Sequence, residues 1–244
     1  MKIRLLSWNI WGGKYLEEVI AFLKTADADI VALQEVIENE TGNTALTIAD
    51  KLGYECAYEL GMKMSSKWAG PPRAKEEIIN FGNAILSKHK IIESKTHELS
   101  EGERRVAVQA DIQIGNNILH TFSIHLKHYH FEQVNPQTLE MQNEQADNLV
   151  KLLPLNKTIL MGDLNAPPES YAVKKVGQIL QDAEINSHTP TWSVYREGCT
   201  ICLVEGIRYK LDYIFTSNDL KICSFEVKES KGSDHLPISA IVEI

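Results

Sequence analysis

The first forty residues alternate between strand and helix patterns, and this alternation restricts the fold more than any other feature of the chain. An apolar extended pattern covers residues 3–9, apolar residues recur at helical spacing over 16–26, and a second extended pattern covers 28–36. The chain is therefore predicted to open with a β-α-β unit. Asn9 and Glu35 end its two strands, and open α/β sheets bind their ligands at the carboxyl ends of strands.

The rest of the sequence continues to mix strands with helices up to its last residues. Residues 82–126 alternate between apolar and polar, which predicts strands, with the apolar residues of 106–114 on one face. No linker or short repeat divides the chain, so we predict one domain over 1–244, of class α/β (α+β), with mixed sheets and helices outside. Other predicted elements are helices over 44–52, 139–153 and 169–181, and strands over 157–163, 207–216, 221–227 and 236–243.

Composition and cysteine usage exclude several classes of protein. Apolar residues make up 43% of the 244 residues, enough for a large core, and no apolar run is long enough to span a bilayer. The N-terminal segment is predicted to be a strand of the domain rather than a signal peptide. Cys199 and Cys202 form a CxxC pair without the two further ligands that a zinc site needs. We therefore interpret the cysteines as reduced thiols of a cytoplasmic protein.

The charge balance disfavours one kind of partner. The net charge is −8, from 33 acidic and 25 basic residues. A protein that grips long nucleic acid usually presents a basic face, so tight non-specific binding of nucleic acid is not expected. The most basic stretch, 61–75, is predicted to be a long loop. It carries Lys63, Lys67, Arg73 and Lys75, with Trp68 in the middle.

Polar residues near the ends of predicted strands form the candidate site. In the segment ILMGDLNAPP an apolar strand ends at Asp163, and the two prolines prevent a helix or further pairing. Residues two apart on an extended chain face the same way, so Asp163 and Asn165 would converge on one point; the alternative is an Asp/Asn turn that closes the strand. Asp234 and His235 are adjacent and would face different partners. The full set is Asn9, Glu35, His125, Asp163, Asn165, Asp212, Asp234 and His235.

Seven short motifs occur in a recognisable order along the chain. They read SWNI, ALQEV, GNAILSK, SIHL, MGDLNAPP, KLDYIF and GSDHLPI, and they extend from residue 7 to residue 238. In this order and spacing the chain resembles the endonuclease/exonuclease/phosphatase superfamily, which is DNase I-like. Each motif alone is loose, but seven in register are specific. The resemblance implies a four-layer α/β/β/α sandwich with its active site at one rim of two packed sheets.

On this resemblance, Asn9, Glu35 and Asp234 hold a divalent metal ion. Hard oxygen ligands together with an amide suit Mg²⁺ or Mn²⁺. A phosphodiester is anionic and repels a nucleophile, so a cation that neutralises its non-bridging oxygens or its leaving group lowers the barrier. His128 and His130 form an H-x-H pair of a kind that can ligate a metal, but the acidic set already supplies a site and is favoured over it.

The other five residues of the set are predicted, on the same resemblance, to perform the hydrolysis. Asp163 orients and deprotonates the attacking water. His235 turns towards the phosphate, and Asp212 accepts a hydrogen bond from its other ring nitrogen. Asn165, His125 and His235 donate hydrogen bonds to phosphoryl oxygens as negative charge builds. Whether His235 acts as an acid, a base or a charged clamp stays open.

Three further residues are predicted to contact the substrate. Asn83 of GNAILSK matches a recurrent position of the superfamily, with a role in shaping a turn as the alternative. Arg105 begins a strand beside Arg104 and would meet phosphate, the alternative being a solvated strand end. Trp192 would line the pocket, although aromatic residues more often belong to a core or a rim.

These residues predict a metal-dependent hydrolase of phosphate esters, and more specifically a phosphodiesterase acting on a small or end-exposed phosphodiester. The sequence has no room for the extra domains of deadenylases, and it lacks the apolar hairpin of secreted sphingomyelinases and the Arg-containing segment of inositol 5-phosphatases. An endonuclease or exonuclease acting on DNA or RNA is the alternative. A binding module that has lost its chemistry is a further alternative, but none of the eight site positions is missing. No obligate protein partner is evident.

Overall fold

Two packed β-sheets with helices on their outer faces form the architecture of the chain. The computed structural model describes residues 1–40, 42–66, 76–100, 105–130, 134–185, 187–198 and 206–244. The strands in these ranges are β1 (Lys2–Asn9), β2 (Ile30–Asn39), β3 (Gly42–Asn43), β4 (Glu55–Ser65), β5 (Ile78–Ser87), β6 (Ile91–Glu98), β7 (Val106–Ile114), β8 (Asn117–His125), β9 (Thr158–Asp163), β10 (Gln181–Asp182), β11 (Asp212–Thr216), β12 (Lys221–Val227) and β13 (Ile238–Glu243). The α-helices in these ranges are α1 (Leu16–Ala26), α2 (Thr44–Leu52), α3 (Pro136–Val150) and α4 (Tyr171–Gly177).

Each sheet contains one parallel pair among antiparallel neighbours. In the described ranges, the first sheet has the order β12-β13-β1-β2-β5-β4, with the short β3 paired to β2. The second sheet has the order β10-β11-β9-β8-β7-β6. β1 is parallel to β2, and β8 is parallel to β9. The predicted β-α-β unit is thus confirmed, with α1 as the crossover between β1 and β2.

The core is divided between three interfaces. The alternate apolar residues of β7 lie on one face, as their spacing predicts, and this face packs against the first sheet. On the opposite face of the second sheet, Phe122 and Ile124 of β8 pack with apolar residues of α3 and α4. The outer face of the first sheet packs with α1 and α2. The layers therefore run helix, sheet, sheet, helix, which confirms the predicted α/β/β/α sandwich. A single domain over 1–244 stays a prediction.

One rim of the sandwich collects the ends of five strands. β1, β8 and β9 finish there at Asn9, His125 and Asp163. β11 runs antiparallel to β9, so its first residue, Asp212, lies opposite Asp163. β13 runs antiparallel to β1, so the segment before it, which carries His235, reaches the same rim. The topology therefore brings together polar residues from both ends of the chain.

The predicted loop over 61–75 is wrong in its first part. Residues 61–65 belong to β4, because 62–65 continue its ladder with β5 beyond a register shift. The side chain of Lys63 therefore projects from a strand. The remaining residues of that prediction, 67–75, lie outside the described ranges, and with them Lys67, Trp68, Arg73 and Lys75.

Two other predicted elements are longer than the observed ones. The helix predicted near 169–181 is reduced to α4, because the Ser170 side chain caps its first turn and Gly177, a poor helix former, is its last residue. The strand predicted near 207–216 is reduced to β11, because Tyr209 pairs with Trp192 instead of with β9. This pairing takes the chain across the rim before β11 begins.

Two negative features concern the described ranges alone. No helix in them combines the length and the apolar character that crossing a bilayer requires. Cys56 and Cys223 are free thiols. Cys199 and Cys202 lie outside these ranges, so the prediction that they are ordinary thiols stays a prediction.

Candidate active site

The carboxylate of Asp163 lies at the centre of the polar residues on this rim and is almost completely buried. Its Oδ2 accepts a hydrogen bond from Asn9 Nδ2 at 3.0 Å, which links the second sheet to the first. The same oxygen lies 3.6 Å from His125 Nε2 and 3.7 Å from His235 Nε2. Its Oδ1 accepts the Asn165 backbone N–H at 2.7 Å. Four predicted site residues therefore meet at Asp163.

A turn, rather than an extended segment, brings Asn165 beside Asp163. The hydrogen bond from the Asn165 N–H to Asp163 Oδ1 closes an Asx turn directly after β9. Asn165 has φ of 49°, in the left-handed region that asparagine tolerates. The turn alternative of the sequence analysis is thus observed, and the two side chains still converge. The Asn165 side chain donates to the Leu126 carbonyl at 3.1 Å and lies 2.9 Å from His128 Nδ1.

His235 is held by a carboxylate on one side and faces Asp163 on the other. Its Nδ1 lies 2.9 Å from Asp212 Oδ2, which also accepts the Thr191 hydroxyl at 2.6 Å. A carboxylate only accepts, so Nδ1 carries a proton and the ring orientation is fixed. The backbone carbonyl of His235 accepts the indole N–H of Trp8 at 2.9 Å. Nε2 is therefore left to face the site.

The two histidines beside Asp163 carry different charges at neutral pH. Burial opposes the charged form of His235, but the carboxylates of Asp212 and Asp163 outweigh it and raise the pKa of His235 well above its ordinary value. Burial lowers the pKa of His125 well below its ordinary value, and the positive charge of Arg105 adds to the effect. The first ring is therefore an imidazolium and the second a neutral imidazole.

A β-bulge positions Glu35. The register between β2 and β5 shifts next to this residue, and Glu35 has φ of 57°. The prediction that Glu35 ends a strand over 28–36 is wrong, because β2 continues to Asn39. A bulge re-aims a side chain out of the regular ladder. Here it brings the Glu35 carboxylate within hydrogen-bond reach of the Asn9 side chain.

The carboxylates of this rim are crowded and poorly solvated, which suits a cation. Glu35 retains some solvent exposure, yet desolvation raises its pKa to about 7, and the charge of Asp234 adds to the effect. Burial raises the pKa of Asp163 to about 6 and the pKa of Asp234 above its ordinary value. A bound cation would offset this charge. The crowded carboxylates of Glu35 and Asp234 therefore fit a divalent metal, with Asn9 beside them; the Asn9 amide oxygen accepts the Trp11 N–H at 3.1 Å and keeps a second lone pair.

A second group of potential ligands lies beside this set. In the described ranges, Asp163, Asp212 and His235 bring three ligand atoms within 4.8 Å of one another. The hydrogen bond between Asp212 and His235 holds this group together without a cation. The assignment of the metal to Asn9, Glu35 and Asp234 stays a prediction.

The raised pKa of Glu35 predicts how the metal-free protein responds to pH. Between the ordinary pKa of 4.5 and about 7, the folded protein binds a proton at Glu35 that the unfolded chain releases. This contribution to stability is present at low pH and is lost as the pH rises through about 7. Glu35→Gln should therefore be more stable than wild type above that pH in EDTA, by about 3 kcal/mol, and the difference should vanish towards pH 4.5.

Urea unfolding at a series of pH values measures this difference. The matched control is Glu38→Gln, which makes the same change on the same strand next to Asn80, away from the cluster. Saturating Mg²⁺ should reverse the order and make wild type the more stable protein. A pH-independent difference between wild type and Glu35→Gln would contradict the assignment of Glu35 to a desolvated carboxylate cluster.

Two of the three predicted substrate contacts lie beside His125. Asn83 is buried on β5, and its Nδ2 donates to the Val106 carbonyl at 3.0 Å, so one of its two N–H groups serves the fold. Arg105 is half-buried, and one guanidinium nitrogen lies 3.4 Å from the His125 carbonyl oxygen. With Phe81 these residues line a small cavity at the rim. Their contact with substrate stays a prediction, and Arg104 lies outside the described ranges.

Trp192, the third predicted contact, is buried and takes part in holding the site. Its indole N–H donates to Asp234 Oδ2 at 3.1 Å, and its ring centre lies 6.2 Å from that of His235. Asp234 and His235 thus face different partners, as two adjacent residues on an extended chain should. The burial of Trp192 fits the alternative, a core or rim position, better than it fits a side chain that lines an open pocket.

Two residues that hold the site were missed by the sequence analysis. Thr191 donates to Asp212, and its hydroxyl also accepts the Leu211 N–H at 3.1 Å. Ser233 donates from its hydroxyl to the Asn9 backbone carbonyl at 2.6 Å. Ser233 lies inside the motif GSDHLPI, so the motif marks the segment in which it could have been found. Thr191 lies in an irregular segment where no periodicity or motif marks it.

These features define the class of the protein: a four-layer sandwich that gathers a buried carboxylate, an imidazolium, a neutral imidazole and a set of metal-type donors at one rim. The model of the endonuclease/exonuclease/phosphatase family matches residues 6–235, so the chain belongs to that family. Its members are hydrolases that act on phosphate esters.

Several solved structures share the fold of this chain. One is an endonuclease/exonuclease/phosphatase from Beutenbergia cavernae DSM 12333, with 17% identity and a TM-score of 0.79. The match covers 100% of this chain and 72% of that one. The chain also covers 93% of the human Nocturnin catalytic domain (18% identity, TM-score 0.74, 99% of this chain) and 98% of truncated Caenorhabditis elegans TDP2 (19% identity, TM-score 0.70, 100% of this chain). At these identities the likeness concerns the fold. Curated protein sequences give no significant match.

Proposed function

We propose that the protein is a divalent-metal-dependent phosphodiesterase that hydrolyses small or end-exposed phosphodiesters by in-line attack of water. One observation carries the proposal. One buried oxygen atom, Asp163 Oδ2, contacts both halves of the site. Asn9, which belongs to the half with the proposed metal ligands, donates to it, and His125 and His235 approach it from the half that would contact the phosphate. A water molecule at this carboxylate would adjoin both halves. Family membership supports the phosphate-ester class, and the metal, the bond type and the substrate are the proposal.

Asp163 is the proposed general base. With a pKa raised to about 6 by burial, it is ionised at neutral pH and still basic enough to accept a proton from water. Hydrogen bonds from Asn9 and Asn165 fix both of its oxygens. Mg²⁺ or Mn²⁺ held by Asn9, Glu35 and Asp234 would supply Lewis-acid chemistry by neutralising phosphate or leaving-group oxygens.

The other polar groups would stabilise the charge that builds on the phosphoryl oxygens. His235 donates as an imidazolium from Nε2, because Asp212 holds its other nitrogen. His125 donates as a neutral imidazole, and Asn165 donates from its amide. Donors that are already oriented before the reaction pay no reorganisation cost, and one such donor typically contributes about 10²–10³-fold.

A hydrolysis screen with Mg²⁺, Mn²⁺ and EDTA tests the proposal. The substrates are bis-p-nitrophenyl phosphate, p-nitrophenyl phosphate, abasic duplex DNA, single-stranded DNA and phospholipid head-group esters. We expect metal-dependent turnover of a diester, abolished by Asp163→Asn and retained by Asp50→Asn, which changes an exposed carboxylate on α2. A folded wild-type protein that turns over none of the panel with either metal would overturn the proposal in favour of a binding module.

The charge of the protein favours a small or end-exposed substrate over internal bonds of duplex DNA. A net charge of −8 disfavours contact with many phosphates at once; of the cations predicted to make such contacts, Lys63 and Arg105 lie in the described ranges. Each phosphate contact adds about 0.9 to the slope of log affinity against log salt, so a slope below about 3 is expected for duplex DNA. KCl titrations at fixed Mg²⁺, with a small diester as control, measure it.

A nuclease is the alternative that this titration can support. Efficient cutting of duplex DNA at internal sites, with a slope that indicates about six or more contacts, would establish it and exclude the preference proposed above. A cytoplasmic location, inferred from the cysteines and the N-terminal segment, stays a prediction.

A further inference from the structure

His128, on the loop after β8, contacts Asn165 on the loop after β9. His128 Nδ1 lies 2.9 Å from Asn165 Oδ1. The two loops are fixed to each other by Gln142 of α3, which is fully buried. Its Nε2 donates to the backbone carbonyls of Lys127 at 2.6 Å and of Asn165 at 3.1 Å. The contact between His128 and Asn165 is therefore supported from beneath by a buried amide.

The partners of the Asn165 amide determine which end of it faces His128. The Leu126 carbonyl only accepts hydrogen bonds, so the Asn165 atom 3.1 Å from it is the nitrogen. The atom that faces His128 is then the oxygen, which also only accepts. His128 Nδ1 must therefore carry a proton in this arrangement. The Asn165 nitrogen has a second N–H, which has no partner among the described residues.

We propose that His128 is a positioning residue, whose Nδ1–H holds the Asn165 amide so that its second N–H meets a phosphoryl oxygen. The inference rests on the proposed function of the site. His128 does not touch the reacting atoms in this role and is not a metal ligand. Outer hydrogen bonds that orient a functional group contribute about 10–100-fold. The lower end is expected, because Leu126 still holds the amide nitrogen.

A purely structural role of His128 is the competing explanation. Its ring lies edge-on to that of His130, with 4.5 Å between centres, and 6.3 Å from the ring of Trp192. Loss of this packing would lower stability whether or not Asn165 is present. The experiment must therefore separate a missing hydrogen bond from missing volume.

Two substitutions of His128 make this separation. His128→Asn keeps an N–H close to the position of Nδ1, whereas His128→Leu keeps volume without a donor. On the diester that wild type turns over best, His128→Leu should lower kcat about 10-fold with KM unchanged, and His128→Asn should recover most of the loss. His120→Leu is the matched control, since His120 bonds Asp111 on the second sheet away from the rim and should keep full activity.

A double-mutant cycle tests whether His128 acts through Asn165. Asn165→Ala should lower kcat on the order of 10²-fold, because it removes the donor itself. Adding His128→Leu to it should cause no further loss, since the group that His128 positions is already absent. Losses that multiply in the double variant would show independent action and overturn the proposal.

The side-chain amide signals of Asn165 give a readout that does not depend on activity. They are identified in ¹H–¹⁵N spectra by their absence in Asn165→Ala. They should shift in His128→Leu and return in His128→Asn, and unchanged signals in His128→Leu overturn the positioning role whatever the kinetics. If wild type hydrolyses nothing while the signals respond as expected, the proposed function fails and the hydrogen bond to Asn165 stands.

Discussion

Glu35→Gln is expected to lower activity at a fixed Mg²⁺ concentration by about 10³-fold or more, with the fold intact. A metal ion contributes several kcal/mol to stabilisation of the transition state, and each 1.36 kcal/mol is a factor of ten. Gln keeps the size of Glu35 but removes the charge that balances the cation. Asn9 and Asp234 would then hold the metal with one carboxylate fewer. Steady-state kinetics across a range of Mg²⁺ and Mn²⁺ concentrations measure the loss.

The control variant and the chelator decide whether this loss concerns the metal. Glu38→Gln lies three residues further along β2 and should retain activity close to wild type. Excess EDTA should abolish the activity of wild type, and added Mg²⁺ should restore it. Part of the activity of Glu35→Gln should return at high metal concentration, since affinity rather than the base is impaired. Full activity of wild type in EDTA would contradict the assignment of a metal to this site.

The strands and helices could be predicted because they depend on local patterns, whereas their four-layer arrangement was implied by the resemblance to the endonuclease/exonuclease/phosphatase superfamily. The period of two over 106–114 placed its apolar residues on the face that meets the first sheet. The helical period over 16–26 gave α1 with its observed bounds. The rim followed from the rule that ligands bind at the ends of strands, since Asn9 and Asp163 end β1 and β9.

What could not be predicted depends on contacts between distant segments. The bulge at Glu35 arises from pairing with β5, and nothing in the local apolar pattern marks it. The pairing of Tyr209 with Trp192 shortens β11, although the sequence around it favours a longer strand. Asn165 reaches its position through a left-handed turn, an alternative that the sequence left open beside an extended segment.

The charge states of the two histidines also depend on contacts between distant segments and could not be predicted from the sequence. His125 and His235 are equivalent as residue types, and each lies within 4 Å of Asp163 Oδ2. They differ because the carboxylates of Asp212 and Asp163 outweigh burial at His235, whereas burial lowers the pKa of His125 and the charge of Arg105 adds to it. Such a difference requires the three-dimensional arrangement, even though the two histidines and Asp212 lie in motifs that the sequence shows.

His235→Ala is expected to lower kcat by about 10²–10⁴-fold, the range typical of a group that transfers a proton or stabilises charge in the transition state. The reason is its position: Nδ1 is bound to Asp212 and Nε2 faces Asp163, so a charged donor is held at the reacting centre. His128→Ala should cost clearly less, about 10-fold, because His128 acts through Asn165. Kinetics of both variants on the same diester, at saturating metal, make the comparison.

The comparison also tests whether the segment that carries His235 or the loop that carries His128 supplies the reacting imidazole. If both substitutions cause equal losses, the loop that carries His128 contains a reacting group, and the choice of His235 as the principal imidazole is wrong. If His235→Ala leaves kcat almost unchanged while His128→Ala abolishes it, the hydrogen bond between His235 and Asp212 serves the fold alone. Asp212→Asn then provides the decisive variant. It keeps the shape of the partner but removes the charge that holds His235 as an imidazolium, so it should impair catalysis only if that charge is used.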